Sequence, residues 1–294
     1  MTMMYQRAQF PVDSSVLRLI QFALHEDIGT GDITSDLCIP LTARASARFI
    51  VKEEGVVCGL PILPIVFRQL SDHVTVDVLV EEGSVCQPGT IVATVEGPAH
   101  ALLSGERTAL NFIQRMSGVA SKTRSYVERI AGTQSSVLDT RKTVPGWRLL
   151  DKYATLIGGA RNHRFGLYDM VMIKDNHITA CGGIQQAVDR VVSELRSHKI
   201  IRIEVEAQNL EDVAQVLRCS GVHRVMFDNF TPELVRQGVQ LVAHRLETEA
   251  SGGITYANIR DYALAGVDYI SVGAITHSAV ALDISMKFIL PRQS

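Results

Sequence analysis

Ile201–Ala207 reads IRIEVEA, and its alternation decides the fold class. In an extended chain Ile201, Ile203 and Val205 point one way, and Arg202, Glu204 and Glu206 point the other. A strand with one apolar and one charged face fits an α/β barrel, where helices cover the outside and the other face turns inward. Charges on that inner face are costly unless they meet partners. Working outward, the same unit recurs: an apolar strand, a polar strand end, then an amphipathic helix. The strand ends fall near Thr140, Lys174, Glu206, Asp228, Ser251 and Gly273, spaced by 34, 32, 22, 23 and 22 residues. These spacings suit strand-plus-helix repeats. Ile184, Ala187, Val188, Val191, Val192 and Leu195 follow the i, i+3, i+4, i+7 rule of a helix with one buried face. The pattern predicts a parallel sheet, most simply an α/β barrel.

Upstream the pattern changes. The runs ARFIVKEEGVVCG, HVTVDVLVEEG and GTIVATVEGP are short, β-rich and broken by glycine turns. They predict an antiparallel sheet with helices. A short helix is expected over Leu60–Leu70 and another from about Leu102 to Gly118. The division is therefore an α/β sandwich domain over 1–117 and the barrel over 118–278. The apolar tail within 279–294 is a candidate to pack back on the first domain.

Composition sets limits on function. The chain has 294 residues, 46% hydrophobic and 20% charged, with a net charge of −2. That balance gives no overall attraction to nucleic acid or an anionic membrane, so anion recognition must come from a local cluster. Cys38, Cys58, Cys86, Cys181 and Cys219 are scattered without zinc spacing. They read as buried free thiols of a reducing compartment. No apolar run reaches the length of a membrane span, and MTMMYQRAQFPVDSS lacks a signal peptide's apolar stretch. A cytoplasmic protein is expected.

The chemistry should lie at the C-terminal strand ends, where α/β barrels carry their sites. Between Arg141 and Lys174 seven lysines and arginines meet only two acids, Asp151 and Asp169. Arg141, Lys142 and Lys174 lie at strand ends. Arg148 and Lys152, on the helix after Pro145-Gly146, read as solvated surface charges. His163, flanked by arginines, is expected to be neutral and to donate a hydrogen bond. Glu206 and Asp228, on neighbouring strand ends, could share a Mg²⁺ or contact a ribose. Ser251-Gly252-Gly253 and Ser271-Val272-Gly273-Ala274 close the last two strands, where exposed backbone N–H groups commonly grip a phosphate. Positive groups, then carboxylates, then small residues suit a phosphorylated substrate with a divalent cation.

The run DTRKTVPGWRLLDKYATLIGGARNHRFGLYDMVMIKDNH (Asp139–His177) resembles the signature region of quinolinate phosphoribosyltransferases. So do HEDIGTGDITS, ERTALNFIQRMSGVAS, IEVEAQNL, MFDNFTPE, EASGGI and DYISVGAITHS, in order along nearly the whole chain. The resemblance implies an N-terminal α/β sandwich followed by an irregular seven-stranded α/β barrel, in a homodimer. It implies transfer of phosphoribose from phosphoribosyl pyrophosphate to quinolinate with decarboxylation, giving nicotinate mononucleotide for NAD biosynthesis. By it, Arg141, His163 and Arg164 hold quinolinate's carboxylates, with Arg107 reaching over from the partner subunit. Lys142 and Lys174 meet phosphoribosyl pyrophosphate, and Thr140 is a further substrate-binding residue. Glu206, a better match than Glu204, and Asp228 serve its ribose and Mg²⁺. The 5′-phosphate rests on Ser251, Gly252 and Gly253 with Ser271, Gly273 and Ala274. A Schiff-base lyase using Lys142 or Lys174 is a rival of another class, but the nearby acids favour charged lysines.

Overall fold

The computed structural model describes residues 9–195 and 201–289, so most of the N-terminal stretch read for a signal peptide lies outside the described residues. The chain packs as two compact units. One comprises 1–124, 143–159 and 276–294, the other 125–142 and 160–275.

In the first unit the strands are β1 (Arg44–Val51), β2 (Gly55–Val56), β3 (Thr75–Val78), β4 (Val85–Cys86), β5 (Ile91–Pro98) and β12 (Ile284–Ile289). Four of them form an antiparallel sheet ordered β12-β1-β5-β3, with Phe49 opposite Met286 and Ala93. The tail thus adds an edge strand. Helix α1 (Ser14–Ile28) starts at Asp13, whose carboxylate accepts the Ser15 and Val16 N–H groups at 2.8 and 3.0 Å. After α2 (Ile33–Cys38), α3 (Ile62–Arg68) follows Pro61, within the stretch expected.

Helix α4 (Ala99–Arg129) overturns the expected stop at Gly118. That glycine is not a cap. A Cβ there would sit 1.9 Å from the Val280 carbonyl oxygen, so the residue is small because the tail crosses the helix at this point. A second correction concerns α5 (Arg148–Ile157): Lys152 is fully buried instead of facing solvent. Its neighbour Asp151 is also buried and lies 3.2 Å from Arg115. Thiol burial holds for Cys58 and Cys86, whereas Cys38 is exposed and Cys181 and Cys219 are intermediate; all five are free.

The second unit holds β6 (Ser136–Leu138), β7 (Val171–Ile173), β8 (Ile203–Ala207), β9 (Arg224–Asp228), β10 (Glu247–Ser251) and β11 (Tyr269–Ser271). They form one parallel sheet ordered β6-β11-β10-β9-β8-β7. In place of a full seventh strand, Arg161 bridges Leu138 in parallel beside β6. The observed strand ends lie within two residues of those read from the sequence. Helices α6 (Asp175–Cys181), α7 (Ile184–Leu195), α8 (Leu210–Val216), α9 (Pro232–Val242), α10 (Ile259–Leu264) and α11 (Ala274–His277) alternate with the strands. Ile203, Val205, Val225, Phe227 and Ile270 share one buried apolar cluster with helix residues Ala187, Val188, Val213, Val235 and Ile259. Burying each large side chain there stabilises the fold by about 1.5–3 kcal/mol.

The other face of the sheet is polar and concave. His163, just beyond the bridge at β6, places its ring Nε2 3.1 Å from Glu204 of β8. Those two strands are four places apart in the sheet. In a flat sheet they would be roughly 19 Å apart, at about 4.8 Å per step. The contact therefore requires the sheet to curl around its charged face.

Candidate active site

Lys174, Glu206, Asp228 and Ser251 all stand at C-terminal strand ends. Lys174 follows β7 and opens α6, where its backbone N–H donates to His177 Nδ1 at 2.9 Å. This fixes the start of its side chain, whose Nζ is ion-paired with Glu206 Oε1. Asp228 pairs in register with Ser251. Its Oδ2 accepts from Asn229 Nδ2 at 3.0 Å. Asn229 has φ +58°, and its N–H donates to Ser251 O at 2.8 Å. Gly252 passes so close to Asn229 that a Cβ would lie 2.1 Å from its Oδ1, so only glycine lets these strand ends meet. Ser271, Gly273 and Ala274 close β11 and start α11.

Arg164 lies in the loop before β7. Asp169 closes that loop by accepting the Phe165 and Gly166 N–H groups at 2.7 and 2.9 Å, and Arg164 Nη1 donates to Met170 O at 3.3 Å. Burial and then the charge of Arg141 hold the Arg164 guanidinium below the usual arginine range. Arg141 and Lys142 are exposed, and the Lys142 N–H donates to Thr140 Oγ1 at 3.0 Å. Like charges held near one another leave a place for an anion. Arg107 is exposed on α4 and belongs to the first unit, whereas every strand-end group belongs to the second.

The surroundings of His163 differ from expectation. Carboxylates surround its ring instead of arginines: Nε2 lies 3.1 Å from Glu204 and 3.4 Å from Glu249. Burial alone would lower its pKa, but Glu204 and Glu249 outweigh it and push it up to about 9. Against this, Nδ1 already accepts the Arg164 N–H at 2.7 Å, occupying the lone pair that a second proton needs. The hydrogen-bond network therefore assigns the neutral ring with its proton on Nε2. A further proton goes to Glu204, which burial and the charge of Glu249 raise to about 7. The His163 Nε2 is buried and faces Glu204 and Glu249.

Glu249 and Arg224 were missed from the sequence. Glu249 is completely buried, yet the His163 and Ser271 hydrogen bonds and the charge of Arg224 outweigh burial and hold its carboxyl below the usual glutamate range. Arg224 Nη1 lies 2.8 Å from Glu249, its Nε and Nη2 donate to Glu247 at 3.1 and 3.0 Å, and its guanidinium stacks 4.1 Å over Tyr269. The signal was present. Glu247-Thr248-Glu249-Ala250-Ser251 alternates as IRIEVEA does, with acids on the inner face. Among the described residues, His163, Glu204 and Glu249 could geometrically hold a metal. The Arg224 guanidinium already supplies the positive charge there, and a nitrogen donor does not suit Mg²⁺. Glu206 and Asp228 fit it better as all-oxygen donors, each with a second carboxylate oxygen. A cavity of about 480 Å³ lined by Arg202, His223, Arg245 and Asp268 opens at the opposite strand ends. Its arginines are committed to Glu247 and to the carbonyls ending α9, so it is not the site.

Family models match on both halves of the chain. Residues 32–117 match the N-terminal domain of quinolinate phosphoribosyl transferase and residues 119–287 its C-terminal domain. The chain belongs to the quinolinate phosphoribosyltransferase family. A probable nicotinate-nucleotide pyrophosphorylase (carboxylating) of Bacillus subtilis is 42% identical over 277 residues, 94% of each chain. A chloroplastic nicotinate-nucleotide pyrophosphorylase (carboxylating) of Arabidopsis thaliana is 42% identical over 92% of this chain and 81% of its own. The crystal structure of NadC from Streptococcus pyogenes superposes with a TM-score of 0.91 at 34% identity, covering 96% of this chain and all of that one. The α/β class read from the sequence, with a sheet domain before a parallel-sheet domain, stands with these relatives.

Proposed function

We propose that the C-terminal strand ends carry out the family's reaction, transferring phosphoribose from phosphoribosyl pyrophosphate to quinolinate and releasing pyrophosphate and CO₂. The observation that carries this reading is the set of strand ends, where Lys174 is ion-paired with Glu206, Asp228 stands in register with Ser251, and Arg164 lies in the loop before β7. Guanidinium forks bind carboxylates in two-point fashion, and lysines serve phosphate as point charges. Arg141 and Arg164 hold the two carboxylates, Lys142 and Lys174 face the pyrophosphate, and Glu206 with Asp228 lies at the ribose. The turns Ser251–Gly253 and Ser271–Ala274 present backbone N–H groups to the 5′-phosphate, and Thr140 stands beside them.

The pyridine nitrogen attacks C1 of the ribose as the C1–O bond to pyrophosphate breaks. Glu206 and Asp228 stabilise the positive character gained at C1, and the lysines stabilise the leaving oxygens. Mg²⁺ bound by Glu206 and Asp228 would neutralise further pyrophosphate charge. With the ring nitrogen now cationic, the bond to the 2-carboxylate breaks. Its electron pair stays on the ring carbon next to N⁺, and a proton then completes nicotinate mononucleotide. Holding both anions in one cationic pocket supplies orientation and electrostatic stabilisation together.

The same reading includes a homodimer with Arg107 contributed across the interface. Among the described residues no helix is long and apolar enough to cross a membrane, and cytoplasmic residence belongs to the same proposal. The test is direct. Incubating the protein with quinolinate, phosphoribosyl pyrophosphate and Mg²⁺ is expected to give nicotinate mononucleotide and CO₂. Stoichiometric release of neither would reject the reading.

A further inference from the structure

Glu249 touches none of the reacting groups assigned above, yet it is tightly held. Its Oε1 accepts from Ser271 Oγ at 2.5 Å. Its Oε2 accepts from Arg224 Nη1 at 2.8 Å and lies 3.4 Å from His163 Nε2. Arg224 is in turn pinned by Glu247 and by the Tyr269 ring, so Glu249 has a fixed partner on each side. The line continues toward the substrate. His163 Nδ1 accepts the Arg164 backbone N–H at 2.7 Å, and the backbone N–H of His163 donates to the buried Asp139 carboxylate at 2.8 Å. The imidazole thus has protein groups at both nitrogens, and one of them is the backbone of the arginine aimed at quinolinate.

We propose that Glu249 is a positioning residue for quinolinate: through the His163 ring it fixes the Arg164 backbone, and so the guanidinium that receives a substrate carboxylate. The inference rests on the reading of Arg164 as a carboxylate ligand. The physical need is specific. The like charge of Arg141 opposes that of Arg164, against the pull of Glu204, Asp169 and Glu206, so the place of the guanidinium depends on what holds its backbone. Asp169 and the Met170 carbonyl hold the loop on one side, and His163 holds it on the other. A ring free to rotate about its χ angles would release that second anchor, and Glu249 with Glu204 is what faces Nε2 and stops the rotation. Ser271 also donates to this carboxylate, and a glutamine keeps an oxygen there to accept it, so Glu249→Gln leaves the turn read as the phosphate grip tied.

The experiment compares wild type with Glu249→Gln, His163→Ala, the double variant and Arg164→Ala, measuring kcat, both KM values and thermal stability. Glu249→Gln is expected to raise the quinolinate KM by about tenfold or more, as a displaced substrate anchor does. The phosphoribosyl pyrophosphate KM should stay within about twofold. His163→Ala should give a similar rise, and the double variant should add little to either single one, because both break one line of contacts. A folded Glu249→Gln protein with a wild-type quinolinate KM would overturn the proposal. Multiplying effects in the double variant would overturn it too, since Glu249 would then act by another route. A merely structural Glu249 would lower stability without moving one KM selectively. If Glu249→Gln does not fold, Glu249→Asp replaces it. That variant keeps the charge one methylene further back, and an unchanged quinolinate KM in it would equally reject the role. Arg164→Ala and wild type separate the two levels. No turnover by wild type, or an unchanged quinolinate KM in Arg164→Ala, would sink the site reading. Failure of the Glu249 variants alone would sink only the positioning role.

Discussion

At the scale of single residues, charge pairing sets what the site accepts. Nicotinate carries one carboxylate where quinolinate carries two, so on the proposed assignment of Arg141 and Arg164 it leaves part of that pair unfilled. A lost charge-assisted contact typically costs about 1.5–3 kcal/mol, roughly ten- to a hundred-fold in efficiency. Nicotinate is therefore expected to be a poor substrate, and comparable kcat/KM on the two acids would refute the assignment of these arginines. Glu206→Gln and Asp228→Asn should mainly weaken use of phosphoribosyl pyrophosphate, and excess EDTA should abolish turnover; full activity in EDTA would remove Mg²⁺ from the scheme. Glu249 makes a separate prediction about stability. Its folded pKa lies below the roughly 4.3 of an unfolded glutamate, held there by the His163 and Ser271 hydrogen bonds and the Arg224 charge. Its ionised form therefore stabilises the fold above about pH 4.3, and that contribution is lost as pH falls through the folded value. Chemical denaturation of wild type and Glu249→Gln should show a stability gap that is constant near neutrality and closes as pH falls below about 4.3. A gap that widens on acidification would mean that the carboxylate is not held ionised.

At the scale of elements, the same side-chain period explains what could be read in advance and what could not. The inner face of β8 was legible because Ile201, Ile203 and Val205 contrast sharply with Arg202, Glu204 and Glu206. The inner face of β10 has the same acids, but its outer positions are Thr248 and Ala250, a contrast too weak to stand out. That is why Glu249 escaped notice. Lys152 was misread because helical spacing says which residues share a face but not which face is covered. Gly118 was misread because a glycine's local meaning is a stop, whereas here the reason for it lies about 160 residues away, at Val280. Replacing it tests that account. Gly118→Ala should gain up to about 1 kcal/mol of helix propensity. A methyl group 1.9 Å from a backbone oxygen must displace the tail, and overpacking of this kind costs about 1–3 kcal/mol. The clash should win, lowering stability in urea titration, whereas a stabilised variant would show that the tail is not held against α4.

At the scale of the whole molecule, the question is which chain completes which site. The strand-end residues all belong to the second unit, while Arg107 is an exposed residue of α4 in the first. An exposed helical arginine ordinarily contributes little. Arg107 has a reason to matter if its charge serves quinolinate in the neighbouring subunit, as the homodimer reading holds. Arg107→Ala and Lys142→Ala homodimers should each be nearly inactive, because each loses a group from both of its sites. Unfolded and reassembled together in equal amounts, they should form mixed dimers about half the time. In a mixed dimer, one site receives Arg107 from the Lys142→Ala chain and Lys142 from the Arg107→Ala chain, and so is intact. The other site lacks both. About a quarter of wild-type activity should then return, since half the dimers each regain one site of two. Recovery should rise and fall with the mixing ratio and peak at equal amounts. No recovery, with subunit exchange demonstrated by differently tagged chains, would place Arg107 within its own chain's site or outside the chemistry altogether.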